Sequence, residues 1–193
     1  QGLIYLDEQR DNTRLDVVFP VLHGENGEDG SIQGLMQLAG IPCVGPDVAA
    51  SAVAMDKTLT KLVMDHVNIP QAKWLLVRKS DLPAQKEAVL QRVEEAFAYP
   101  VFVKPAGTGS SVGVSKVADR SALDAALDYA AKYDEKILVE EFILGREVEV
   151  AVMGNDSPVA SICGEIDSGA DFYDYDAKYV TDTSTAYIPA RIP

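Results

Sequence analysis

Residues 101–117 read VFVKPAGTGSSVGVSKV, and their types suit one task above others, the holding of phosphate. Gly107, Gly109 and Gly113 permit positive φ and close backbone approach to a ligand. Ser110 and Ser111 bring hydroxyl donors, and Lys104 stands at the edge as a point charge. Two familiar spacings do not fit. A P-loop requires glycine followed directly by Lys and then Ser or Thr, and no glycine of this stretch precedes lysine. A dinucleotide fingerprint requires G-x-G-x-x-G opening a helix. Here the spacing from Gly107 to Gly113 is one residue longer, and β-branched Val112, Val114 and Val117 follow in a strand pattern. The loop therefore joins strand to strand, a hairpin whose tip folds over phosphate or, on the plainer reading, a surface turn.

Four further groups could do chemistry. Lys57 sits in MDK near the start of a helical pattern, where most lysines are merely solvated. His23 and Glu28 lie in the glycine-rich stretch HGENGEDGS, directly after an apolar run. In VEEFILGRE, acceptors Glu140, Glu141 and Glu147 bracket apolar Phe142 and Ile143. A purine wants an apolar slot with backbone donors and acceptors, and a ribose wants a carboxylate, although an acidic hairpin turn reads the same way. Tyr173, Tyr175, Lys178, Tyr179 and Tyr187 populate a last polar-aromatic stretch that could equally be an amphipathic edge strand.

The elements that would position these groups fall into two styles. Residues 16–22 (DVVFPVL) read as a strand buried on both faces. Ile32, Leu35, Met36, Leu38 and Ala39 mark a helical face closed by Gly40, and IPCVG follows as the next strand. In such β-loop-α-β units, ligands bind at the carboxyl ends of strands beside helix N-termini. From about residue 55 the style changes. A helix over 55–67 carries Met55, Leu59, Leu62, Val63 and His66 at helical spacing, and KWLLV follows as a strand. Ser80 caps a helix reaching Ala98, with Val89, Val93, Ala96 and Phe97 on one face. Ser121 and Asp124 suggest a capping box for a helix with Leu123, Leu127, Ala130 and Ala131 inward. ILVEE is a strand, residues 146–152 alternate as a half-buried antiparallel strand, and further strand follows Pro158. A domain boundary is expected near residues 45–55.

A chain of 193 residues with 47% hydrophobic content can bury a core. It shows neither a transmembrane run nor a secretory h-region. Net charge is −13, with 30 acidic against 17 basic residues, which argues against nucleic acid or an anionic membrane as partner. It leaves room for ATP, because a few local cations suffice for a polyphosphate. Cys43 and Cys163 read as buried thiols of a reducing compartment, and neither they nor His23 and His66 have metal-ligand spacing. The expected location is cytoplasmic.

The order LHGENGEDGSIQG, MDK, VFVKPAGTGSSVGVSKV, VEEFILGREVEVAV, FYDYDAKY resembles the D-alanine–D-alanine ligase family of ATP-grasp enzymes, from about Asp16 to the last residues. The resemblance implies α/β and α+β architecture: the end of an N-terminal parallel α/β domain (1–45), then ATP-grasp antiparallel sheets in a central domain (46–140) and the start of a C-terminal domain (141–193). It implies ATP between two antiparallel sheets, with phosphate contacts from Lys57, Lys104 and Lys178 and with Ser111 in the loop that closes over them. Adenine contacts would come from Glu140, Glu141, Phe142 and Ile143, and a ribose contact from Glu147. Ser110 would be hydrogen-bonded to Tyr179, and His23 and Glu28 would line the D-alanine site.

The implied reaction joins two D-alanines for peptidoglycan precursor synthesis. The first carboxylate takes the γ-phosphoryl group of ATP to give an acyl phosphate, which the second amine attacks. ADP is formed, and the two loops exclude water. The family's Mg²⁺ carboxylates, an arginine and a further serine lie beyond the tyrosine loop, and a glutamate on the first strand of its N-terminal domain has no counterpart here. The Mg²⁺ ligands are thus expected outside this chain, which alone is expected to be inactive, and a homodimer is expected through the N-terminal domain. Alternatives are a ligase joining D-alanine to D-serine or D-lactate and a non-catalytic ATP-binding module. A dinucleotide oxidoreductase is disfavoured because a strand follows the glycines.

Overall fold

The computed structural model describes residues 2–3, 13–167 and 184–192, in two compact units, Gln1–Glu141 and Phe142–Pro193. The first unit is organised by a four-stranded antiparallel sheet. Its strands are β3 (Trp74–Arg78), β4 (Val101–Pro105), β5 (Ser115–Val117) and β6 (Lys136–Glu141), in the spatial order β3-β6-β4-β5. The GTGSSVG loop joins β4 to β5 as the expected hairpin, with Val101 opposite Val117 and Val103 opposite Ser115.

The sheet has two unlike faces because side chains alternate along each strand. Val77, Val101, Val103, Ile137 and Val139 point to one side and form the core with α4 (Leu82–Ala96) and α5 (Arg120–Ala130). Leu123, Leu127, Ala130 and Ala131 face inward as their spacing predicts. Phe102, Lys104, Leu138 and Glu140 occupy the intervening positions of β4 and β6.

Helix starts differ from expectation. Asp119, not Ser121, caps α5 by accepting from Ala122 N at 2.9 Å. Ser80 lies in a short 3₁₀ turn, Lys79–Asp81, and α4 begins at Leu82 with Pro83 in its first turn, where a missing N–H costs nothing. The inward face of α4 is Leu82, Val89, Leu90 and Val93, while Ala96 is exposed.

Two helices precede the sheet where one was expected: α2 (Val48–Met55) and α3 (Lys57–His66), with Asp56 between them. The larger departure concerns which face of α3 is inward. Leu59, Leu62 and Val63 are exposed, and Thr58 and Lys61 are buried. Ion pairing against β6 sets that orientation, so the apolar periodicity pointed the wrong way.

The front of the chain holds β1 (Gly2–Leu3), paired with β2 (Thr13–Arg14), and α1 (Ser31–Ala39), closed by Gly40 at φ 64°. The expected neighbouring strands meet in a single parallel bridge, Val18 with Cys43. Burial on both faces is not realised, since Val17, Phe19, Val21 and Leu22 are exposed and α1 has no buried residue. Two-face burial needs covering layers on both sides, and here α1 buries nothing against the run. Cys43 and Cys163 are free and only half-buried.

In the second unit, β7 (Glu147–Glu149), β10 (Gly164–Asp167) and β11 (Thr185–Tyr187) form a sheet ordered β11-β10-β7, and β8 (Val152–Met153) pairs with β9 (Val159–Ala160). The alternating run over 146–152 is thus two short exposed strands rather than one half-buried strand. Buried Glu165 holds Arg191 through its backbone N–H at 2.8 Å and its guanidinium at 2.9 Å.

Candidate functional site

Asp56 organises the start of α3. Its carboxylate caps the helix, accepting from Thr58 N at 3.0 Å and Leu59 N at 3.2 Å, and it also pairs with Lys136 of β6. Burial pushes the Asp56 carboxyl up, but Lys136 and the capping donors outweigh it and hold the group below its ordinary value. The cap thereby fastens α3 to the sheet and fixes Lys57 and Lys61, one turn apart on the same helix face.

Lys57 faces the glycine loop. Its backbone N–H donates to Ala106 O at 3.0 Å, and its ammonium donates to Ala106 O at 3.3 Å and to Thr108 O. Burial and then repulsion from Lys104 depress its pKa, against the opposing pull of Asp134, Glu140 and Asp56. The same end of the loop is also anchored by Asp134, which accepts from Gly107 N at 2.6 Å. Gly113, at φ +74°, is required: a Cβ there would lie 2.6 Å from Pro105 Cγ and 2.8 Å from Tyr133 Cδ2. At the tip, Ser110 and Ser111 both adopt left-handed backbone, φ 51° and 59°. Such conformations cost a non-glycine residue about 1–3 kcal/mol each.

Lys104 of β4 and Lys61 of α3 converge on Glu140 of β6, Lys104 on Oε2 and Lys61 on Oε1. Lys61 also donates to Ala72 O at 3.2 Å. Burial raises Glu140, but Lys104 and then Lys61 overcome it and keep the carboxylate ionised below its usual range. Lys104 further lies 5.3 Å from the Phe102 ring centroid. Four lysines, 57, 61, 104 and 136, thus gather at one side of a sheet in a chain of net charge −13.

A cleft of about 560 Å³ opens beside the loop, lined among others by His23, Asp29, Thr108, Ser110 and Tyr133. Asp29 shapes its front wall, accepting from Asn26 N at 2.8 Å and Ser31 N at 2.9 Å, donors that lower its pKa. Glu28 accepts from Gly24 N, and a Cβ on Gly109 would sit 3.6 Å from its Oε2.

Of the residues singled out by sequence, Lys57, Lys104 and Glu140 come together, and His23 and Ser110 share the cleft. Ser111 sits at the loop tip beside Ser110. Glu141 closes the edge of the sheet, its carboxylate accepting from Lys73 N at 2.8 Å. Phe142 and exposed Ile143 follow β6, and Glu147 lies on β7 opposite Ile166. Lys178 and Tyr179 lie outside the described residues. Sequence reading passed over Lys61, Asp56, Asp134 and Lys136. For Lys61 the available signal was its i+4 spacing from Lys57. Among the described residues no group of three or more His, Cys, Asp or Glu could hold a metal ion.

Comparison with known proteins gives consistent matches. A family model described as D-ala D-ala ligase C-terminus matches residues 63–193, and one described as D-ala D-ala ligase N-terminus matches residues 3–46. A D-alanine--D-alanine ligase of Acetivibrio thermocellus is 56% identical over 192 residues, covering 100% of this chain and 51% of the relative. One from Clostridium acetobutylicum is 51% identical, covering 94% and 53%. The chain spans about half the length of the curated relatives it matches. Among solved structures, the VanG D-Ala:D-Ser ligase from Enterococcus faecalis superposes with TM-score 0.82 at 40% identity, over 95% of this chain and 52% of that one. The D-alanyl-alanine synthetase A of Vibrio cholerae gives 0.81 at 32% identity, over 98% and 59%.

Proposed function

Because the chain belongs to the D-alanine–D-alanine ligase family, with its ATP-grasp fold, we propose that it carries the nucleotide-binding part of an ADP-forming ligase that joins two D-alanines for the cell wall. The observation that supports this most is the lysine cluster set against a glycine-serine hairpin. A polyphosphate needs concentrated positive charge and backbone that can approach closely, and both occur at one end of the sheet.

The residues divide the work as follows. Lys104, Lys57 and Lys178 take phosphate oxygens. Their charge lowers the barrier to bringing a carboxylate up to a polyphosphate, by positioning and electrostatics rather than covalent help. Ser110 and Ser111 form the tip that covers the phosphates, with Ser110 held by Tyr179, so that an acyl phosphate on D-alanine meets amine rather than water. Glu140 and Glu141 with Phe142 and Ile143 receive the adenine, Glu147 receives the ribose hydroxyls, and His23 and Glu28 orient the amino acid. Mg²⁺ would neutralise phosphate charge, but the described carboxylates do not fit it. Glu140 is held by Lys61 and Lys104 and Asp56 by Lys136, so no role for the ion is assigned to them.

Domains at 1–45, 46–140 and 141–193, a cytoplasmic location and a homodimer complete the proposal. Among the described residues no helix is long and apolar enough to cross a membrane. The test is ATP binding by this chain in calorimetric titration, together with its weakening by about tenfold or more on Lys104→Ala. Absence of ATP binding by the wild type would overturn the reading. The VanG likeness favours a second reading, D-serine as the second substrate. Competition between D-serine and D-alanine for binding to the protein decides between them.

A further inference from the structure

Lys61 is the least expected member of the site. Its ammonium is buried, and it sits on the helix face opposite the one that apolar periodicity selects. A buried ammonium is costly and normally neutralises or escapes to solvent unless paired. Here it is paired on two sides, with Glu140 Oε1 and with Ala72 O at 3.2 Å. Gln71 reinforces the arrangement by donating to Lys61 O at 2.9 Å. Lys104, by contrast, approaches the other oxygen, Oε2, and is the more exposed of the two lysines, at 24% against 11%. Glu140 is thus gripped asymmetrically, by a buried lysine on Oε1 and by a more accessible one on Oε2.

That asymmetry matters if Lys104 transfers to phosphate. Oε2 then loses its cation and is free to accept a new donor, while Oε1 stays fixed. An exocyclic amino group on a purine supplies such a donor, and a 6-oxo purine presents an acceptor that the carboxylate repels. A carboxylate left with no cation would be free to rotate, and the discrimination would vanish.

We infer that Lys61 is the positioning residue of this site: it holds Glu140 Oε1 in place while Lys104 moves to phosphate, so that Oε2 selects a 6-amino over a 6-oxo purine. The inference rests on the ATP reading above. It makes the nucleotide preference of the protein depend on a lysine that touches neither base nor phosphate.

The experiment is calorimetric titration of the protein with ATP and, separately, with inosine triphosphate, in wild type, Lys61→Met and Lys61→Arg, with folding checked by thermal melting. The wild type is expected to prefer ATP by about tenfold or more, as a hydrogen bond to a charged acceptor implies. Lys61→Met is expected to cut that ratio to about twofold, and Lys61→Arg to restore it. Equal weakening of both nucleotides by Lys61→Met, with the ratio kept, marks a merely structural lysine and overturns the inference alone. A wild type that binds neither nucleotide overturns the ATP reading and this inference with it. Should Lys61→Met fail to fold, Glu140→Gln is compared with the Lys61→Met/Glu140→Gln pair. Equal ATP-to-inosine-triphosphate ratios in the two support the inference, and a further drop in the double variant overturns it.

Discussion

The two faces of the four-stranded sheet use neighbouring residues of the same strands for opposite ends. On β4, Val101 and Val103 enter the core with α4 and α5, while Phe102 and Lys104 face the other way. On β6, Ile137 and Val139 contrast in the same manner with Leu138 and Glu140. One face is dry and apolar, and its contribution is hydrophobic burial. The other carries Lys104 and Glu140 beside Phe102 and Leu138, and its charged side chains pair with one another and with those of α3. Buried ion pairs add little net stability because desolvation offsets attraction. The ionic face is therefore the one proposed as the site and the apolar face its foundation, separated by no more than the pleat of a strand.

Substitutions on each face can break this division. The largest effect is expected from Leu127→Ala on the apolar side. Leu127 is fully buried, so the loss should be about 2–5 kcal/mol in urea unfolding, with ATP affinity per folded molecule unchanged. Lys104→Ala should do the reverse. ATP affinity should fall by about tenfold or more, while the stability loss stays well below that of Leu127→Ala because Lys61 still pairs with Glu140. A large stability loss from Lys104→Ala would show that the ionic face is part of the foundation after all.

Gly113→Ala tests the hinge between loop and sheet. The positive φ and the contacts with Pro105 and Tyr133 predict a loss of about 1–3 kcal/mol, read as a lower melting temperature together with weaker ATP binding. The smallest effect concerns pH. Glu140 is held below its ordinary value by Lys104 and Lys61 against the opposing effect of burial. The stabilisation from that ionisation is therefore fully present above the unfolded carboxyl's pKa and is lost as pH falls through the lower folded one. Urea midpoints measured from roughly pH 6 to pH 3 should fall less steeply in Glu140→Gln than in wild type.

Much of this was legible in the chain. The hairpin around GTGSSVG followed from β-branched alternation on both sides of the glycines, and the inward residues of α5 followed from its 3.6-residue period. Both are local signals, set by backbone sterics and by which side chains water excludes. The order of motifs identified the family as well. The face that α3 buries was not legible. Leu59, Leu62 and Val63 carry the apolar signal, yet Thr58 and Lys61 are inside. Asp56 pairs with Lys136 and Lys61 with Glu140, partners 80 and 79 residues away in sequence. Periodicity cannot register such partners, because a charge reads as solvent-facing until its counter-ion is brought beside it. The sequence by itself determined the strands, the loop chemistry and the presence of the lysines. The tertiary structure alone decided which lysine is buried and which carboxylate it holds, since pairing energy depends on distance in space and not along the chain.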